Sequence, residues 1–64
     1  MKTIKEDYDQ FREEYELDRN EYATRELATR AGKLMREWWG SNLVFLGVDQ
    51  NKNGTFSPKF NVFD

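Results

Sequence analysis

The side chains that could perform acid–base chemistry in this chain are carboxylates, such as the adjacent pair Glu13 and Glu14. A general acid and a general base need different pKa values, which requires desolvation or a charged neighbour. The pair falls on a polar helix face, where nothing predicts desolvation. No glycine-rich phosphate loop follows a strand, and no serine or lysine has a recognisable activating neighbour. We therefore predict no catalytic residue, no cofactor and no enzyme activity.

Oxygen ligands for a metal are concentrated in residues 49–54. Asp, Asn, Asn and Gly occupy the positions that they have in the first half of an EF-hand calcium loop, which this segment resembles: Asp49, Asn51, Asn53 and Gly54. The position of the closing bidentate glutamate is Phe60, and Pro58 opposes the helix that should follow. Asn and Gly are also the residues that a hairpin turn requires. We interpret the segment as a turn without a metal, and a calcium-binding structural module is an alternative.

A second local pattern concerns DNA binding. Residues 25–32 resemble the first helix and turn of a helix-turn-helix regulator, with Ala28 as the small inter-helix contact and Gly32 at the turn. Basic side chains that could contact phosphate follow the same segment: Arg25, Arg30, Lys33 and Arg36. However, Lys33 replaces an apolar residue, Gly40 ends any recognition helix early, and an acidic first helix would repel phosphate. A small DNA-binding regulator is therefore an alternative, and nucleic acid is not the expected partner.

Charge is distributed unevenly along the chain. Residues 1–21 carry eight carboxylates and four cations, whereas residues 22–64 carry four carboxylates and six cations, which gives the net charge of −2. Unpaired negative charge repels itself along a helix, so its retention suggests a use. We expect Glu13, Glu14 and Glu16 to contact a partner protein with a basic surface.

The chain is divided into a helical part and a strand-rich part. Thr3 and Glu6 fit a capping box, and a first helix is expected to bury the stripe Ile4, Tyr8, Phe11 and Tyr15. A break is expected near residues 17–20, with Asp18 and Glu21, or Thr24 alone, as the next cap. A second helix is then carried by Ala23, Leu27, Ala31, Leu34 or Met35, and Trp38, and ends at Gly40. One bent helix over residues 3–39 is the alternative.

Adjacent tryptophans close the second helix. Trp38 and Trp39 point about 100° apart on a helix, so one ring is expected in the core and the other on a flank. Tryptophan is enriched among the residues that dominate protein interfaces. We therefore add both to the expected partner-binding residues, beside the reading that they only pack the helix end.

The last third predicts a β-hairpin over residues 42–63, with a turn of two residues at Asn53 and Gly54 or of six residues from Asp49. Pro58 cannot donate a ladder hydrogen bond, which predicts an edge strand or a bulge. Pairing arithmetic places Leu43, Phe45 and Gly47 on the face of Phe56, Phe60 and Val62, and places Val44, Leu46 and Val48 on the opposite face. These three apolar side chains are expected to bind a partner or a second copy.

The sequence thus predicts one α+β domain over residues 1–64, with two helices, or one bent helix, on a C-terminal two-stranded antiparallel hairpin. In size, charge density and lack of catalytic groups the chain is similar to phage-encoded proteins that bind and inhibit a host protein. The expected function is that of a small acidic inhibitor or modulator, which presents DNA-like negative charge to a basic host protein. No apolar run is long enough for a membrane span, so we expect a cytoplasmic protein in a host cell that forms a homodimer or larger homo-oligomer.

Overall fold

The computed structural model describes residues 3–62. Two helices and four antiparallel strands follow each other in the order α1 (Ile4–Tyr15), β1 (Glu16–Asp18), β2 (Glu21–Tyr22), α2 (Arg25–Trp39), β3 (Leu43–Gln50) and β4 (Phe56–Val62). The α+β class is therefore confirmed, but the sheet is larger than the predicted hairpin. The predicted end of the last strand at Phe63 lies outside the described residues.

The starts of both helices and the end of α2 lie at residues that the sequence indicated, whereas α1 ends at Tyr15, before the break expected near residues 17–20. The hydroxyls of Thr3 and Thr24 accept hydrogen bonds from the backbone N–H groups of Glu6 and Leu27, each at 3.1 Å. Gly40 ends α2 with a φ of 85°, a left-handed value that glycine adopts without steric cost. The chain therefore forms two separate helices, and the alternative of one bent helix is wrong.

The segment between the helices forms strands instead of a plain loop. Asn20, with a φ of 57°, reverses the chain between β1 and β2. Tyr22 of β2 then pairs with Phe56 of β4, so the sheet has the order β1-β2-β4-β3. The prediction of a two-stranded sheet was wrong because these strands, of three and two residues, are too short for an alternating pattern.

β4, which contains Pro58, lies between β2 and β3, so it is not the edge strand that the sequence predicted, but β2 pairs with it only at Phe56 and leaves that side of Pro58 unpaired. Asn51 donates its backbone N–H to the Thr55 carbonyl, and alternation along the antiparallel ladder then makes Val48 and Pro58 a pair without ladder hydrogen bonds. The Pro58 nitrogen therefore faces away from β3, on the side where β2 has already ended. The side-chain amide of Asn20 donates to the Pro58 carbonyl on that side, at 3.4 Å.

A bulge in β3 reverses the faces that pairing arithmetic predicts. Phe45 pairs with Phe60, but Gly47 pairs with Lys59, which leaves Leu46 as an extra residue. One extra residue moves every later side chain to the other face of the sheet. Val48 consequently packs against the core, and Gly47 does not share the face of Phe60. The expectation that Val48 faces outward with Val44 and Leu46 is wrong.

The core lies between the sheet and α2, with α1 against α2 and beside β1. Its buried side chains are Tyr8, Phe11, Tyr22, Ala28, Ala31 and Leu43. The expected α1 stripe is buried only in its centre, since Ile4 and Tyr15 are 44% and 42% exposed. Ala23 precedes α2 and is exposed, whereas Ala31 is buried as predicted, together with Ala28 and Gly32, which the expected stripe did not include. Small residues face the sheet because α2 approaches it closely.

A helix that could span a membrane needs a long apolar stretch. Over residues 3–62, neither helix has the length and hydropathy for such a span.

Candidate protein-binding surfaces

The solvent side of α1 carries carboxylates that have no ion-pair partner in the part of the chain that the structure describes. Both cations within α1 are used in pairs along the helix, Lys5 with Asp9 at 2.8 Å and Arg12 with Glu16 at 3.1 Å. The acidic face consists of exposed carboxylates that have no ion-pair partner within residues 3–62: Asp7, Glu13 and Glu14. Glu6 lies next to them, where its carboxylate contacts the Thr3 hydroxyl.

Glu16 differs from the other carboxylates that the sequence grouped with it. Its two oxygens accept hydrogen bonds from the Arg12 guanidinium at 3.2 and 3.1 Å, and one of them also accepts the Asn20 backbone N–H at 3.1 Å. The side chain is only 17% exposed. The hydrogen bond to Glu16 raises the pKa of Arg12. Glu16 therefore holds the junction between α1 and the turn after it, a role that the charge pattern did not indicate.

The outer side of α2 carries more cations than carboxylates. Arg25, Arg30 and Lys33 line a shallow cleft of about 610 Å³, together with Thr29 and one carboxylate, Glu26. The Arg25 guanidinium lies 5.2 Å from the centre of the Phe56 ring and donates a hydrogen bond of 3.3 Å to the Val48 carbonyl. The Arg30 guanidinium lies 5.9 Å from the centre of the Phe11 ring. These contacts orient the two arginines beside the sheet and beside α1, respectively.

The alternative interpretation of residues 25–32 as part of a helix-turn-helix motif predicted a turn at Gly32. In the structure α2 continues through Gly32 to Trp39, and both Ala28 and Gly32 are buried. A Cβ atom on Gly32 would lie 2.3 Å from the Cε1 atom of Phe45. The glycine is therefore explained by close packing of a continuous helix on β3, and the predicted turn is wrong.

A groove of about 390 Å³ separates the two helices on the side away from the sheet. Its floor is apolar and is formed by Phe11, Tyr15, Leu27 and Leu34. Asp7 and Glu14 form one wall on α1, and Arg30 stands on the opposite wall on α2. The acidic face and the basic side of α2 thus meet across an apolar strip.

The tryptophans form an aromatic cluster at one end of the helices. Trp38 stacks on Tyr8 with ring centres 5.8 Å apart, and Trp39 contacts Trp38 edge-on at 6.2 Å. Lys5 lies over the Trp38 ring at 5.6 Å. Trp38 and Trp39 are 40% and 49% exposed, so the expectation that one ring enters the core is wrong. Small residues occupy the sheet-facing side of α2, and Trp38 packs across α1 instead.

The expected partner-binding residues do not form one surface. Val44 and Leu46 are 36% and 60% exposed and lie on the sheet face opposite the helices. Glu13 and Glu14 are on the helix layer, and Val48 is packed against the core. Any one contact can therefore use only part of the predicted set.

Polar side chains of residues 49–54, the segment that resembles half of an EF-hand loop, form an ion pair and hydrogen bonds with neighbouring residues of the hairpin. Asp49 forms an ion pair with Lys59 at 3.1 Å, and the Asn51 amide donates to the hydroxyls of Thr55 and Ser57 at 3.0 and 2.8 Å. Gly54 has a φ of 87°, as a tight turn requires. Within residues 3–62, no three side chains of the metal-binding types converge.

The sequence indicated Glu21 only as an alternative helix cap and did not single out Tyr22, although both residues are central to the fold; the cap is Thr24. Glu21 accepts hydrogen bonds from the Thr55 hydroxyl and from the Asn53 amide, and these bonds lower its pKa. Tyr22 is fully buried, and its hydroxyl has no hydrogen-bond partner among the described residues. Burial raises the pKa of Tyr22. An aromatic residue two positions after a turn-forming Asn was the available signal.

Comparison with known proteins gives no family model, no curated protein and no solved structure that matches this chain.

Proposed function

We propose that this protein is a non-catalytic binding protein whose acidic face docks on a basic surface of another protein. The observation that carries the proposal is the selective pairing on α1: Lys5 and Arg12 neutralise Asp9 and Glu16, and leave the acidic face exposed. Charges presented in this way accelerate association with an oppositely charged surface and align the two proteins.

The charge of the acidic face suggests what the partner normally binds. Asp7 and Glu14 are seven positions apart, which is about 10 Å of helix rise. Three carboxylates within that length, without an ion-pair partner among residues 3–62, present a concentrated negative charge that suits a basic surface made to bind phosphates. We propose that the target is a nucleic-acid-binding surface, which the protein blocks as an inhibitor of the kind that phages encode against their hosts.

The experiment is affinity capture of the tagged protein from a bacterial cytoplasm, with mass spectrometry of the bound proteins. The double variant Glu13→Lys/Glu14→Lys should lose the captured partner, because it reverses the acidic face without touching the hydrogen bonds of Glu16. The matched control is Glu26→Lys/Glu37→Lys, which makes the same change in net charge on α2. The control should retain the partner.

Salt and DNA provide the decisive measurements on the captured complex. Binding should weaken steeply between about 0.05 and 0.5 M NaCl, because exposed charges are screened within about 10 Å at 0.1 M. Duplex DNA should compete with the protein for its partner. Salt-independent binding that survives the acidic-face reversal would contradict the proposal and would move the interface to the aromatic cluster or to Val44 and Leu46. Recovery of nucleic acid without a protein partner would also contradict the proposal, and would favour the alternative in which the cations of α2 bind DNA.

A further inference from the structure

The helix layer carries both signs of charge on neighbouring elements, which makes it complementary to itself. Its acidic wall is formed by Asp7 and Glu14 and its basic wall by Arg30, with Lys33 beyond it on α2. We propose that two copies of the chain form a two-fold dimer through this layer, in which α1 of each copy lies against the basic side of α2 of the other.

The positions of the charges on the two helices determine which two-fold axis is favourable. The beginning of α1 lies beside the end of α2, as the Tyr8–Trp38 stack shows, and Phe11 lies beside Arg30 in the middle. A two-fold axis along the groove places α1 of one copy over α2 of the other, so that opposite charges meet twice. An axis across the groove would place α1 over α1, where like charges repel each other.

The layer is also large and apolar enough for a specific contact. The molecule measures 32 × 28 × 17 Å, so its broad face can supply the roughly 800 Å² per partner of a standard-size interface. Tyr15 on the groove floor is 42% exposed and Leu27 and Leu34 are half-buried, which provides apolar area between the charged walls. A polar rim around an apolar centre is the usual composition of protein interfaces.

This dimer covers the acidic face. If that face also binds the basic partner of the proposed function, the second copy and the partner compete for it. Dimer formation itself does not depend on that function, and it is measured on the purified protein alone.

The test is analytical ultracentrifugation of the full chain, up to roughly millimolar concentration. We expect a monomer–dimer equilibrium that weakens from about 0.05 to 0.5 M NaCl. The variant Asp7→Lys/Glu14→Lys and the variant Arg30→Glu/Lys33→Glu should each raise the dimer dissociation constant by about tenfold or more. Circular dichroism should show both variants folded.

Mixing the two variants supplies the sharpest result. In a mixed dimer, α1 of the first variant, now basic, lies against α2 of the second variant, now acidic. On the other side of the axis, the unchanged α2 of the first variant lies against the unchanged α1 of the second. Native mass spectrometry, with a tag on one variant, should therefore show heterodimers with near wild-type affinity and few homodimers. Rescue by mixing also excludes the explanation that either variant is merely misfolded.

The proposal is overturned if the wild-type protein remains a monomer, if mixing restores no heterodimer, or if Leu46→Lys abolishes the dimer while both helix variants retain it. The last result would assign self-association to the outer face of the hairpin. If the wild-type protein dimerises but captures no partner, or if the acidic-face variant Glu13→Lys/Glu14→Lys retains its partner, only the proposed function is contradicted.

Discussion

Substitution of alanine for Gly32 tests how closely α2 approaches the sheet. Glycine inside a helix costs about 1 kcal/mol relative to alanine, so helix propensity alone predicts that Gly32→Ala stabilises the protein. The new methyl carbon would, however, lie 2.3, 2.6 and 2.8 Å from ring atoms Cε1, Cδ1 and Cζ of Phe45. Non-bonded carbon atoms have their optimal separation at roughly 3.5–4 Å, so the Phe45 ring or α2 must move by about 1 Å.

The steric effect should exceed the propensity gain. Overpacking of this kind costs about 1–3 kcal/mol. Phe45 cannot turn away freely, because it also packs against Phe60 with ring centres 5.9 Å apart. We expect Gly32→Ala to lower the free energy of unfolding by up to about 2 kcal/mol, and each kcal/mol corresponds to roughly 4–8 °C in the melting temperature of a domain of this size.

A double-mutant cycle separates the two effects. Phe45→Val removes the three ring atoms and keeps a residue that favours strands. In that background Gly32→Ala should stabilise the protein by up to about 1 kcal/mol, since only the propensity gain remains. Urea unfolding followed by circular dichroism, at dilute concentration, measures all four proteins. Stabilisation by Gly32→Ala in the wild-type background would refute the close approach of helix and sheet.

Further predictions concern Tyr22, Glu21 and the turn. Tyr22→Phe should leave the melting temperature unchanged or raise it, because it removes a buried hydroxyl without a partner, whose desolvation costs about 1–3 kcal/mol. The lowered pKa of Glu21 means that its hydrogen bonds with Thr55 and Asn53 contribute stability above the ordinary carboxyl pKa and lose it as the pH falls through the lowered value. Glu21→Gln should therefore reduce the acid-side slope of stability against pH, which urea titrations at several pH values measure. Calorimetric titration with calcium should give no saturable heat, and micromolar binding would revive the calcium-module alternative.

The helix ends were predictable because the physics that sets them is local. A cap needs one side-chain oxygen and the next few backbone N–H groups, so Thr3 and Thr24 can be identified without knowledge of the rest of the fold. Gly40 likewise marks a helix end through its own backbone freedom. These residues divide the chain into its helical segments, which was enough for the α+β class.

The strand pairing was not predictable, because it depends on partners far along the chain. Tyr22 becomes part of a strand only because Phe56 lies beside it. A strand of two residues is too short to show an alternating pattern in the sequence. The bulge at Leu46 was likewise not predictable, because it depends on how β3 pairs with β4. Its effect is large because a shift of one residue moved Val48 from the predicted binding surface into the core.

Sequence also shows which residues are charged without showing which charges are neutralised. Within residues 3–62 the ion pairs lie inside α1, or at its end, and inside the hairpin, and none joins the acidic α1 to the basic α2. The groove between the helices explains this, since Arg30 lies over the Phe11 ring and not against Asp7 or Glu14. The attraction between the two helices is therefore left unsatisfied within the chain, and it is available to a second molecule that can reach both walls of the groove.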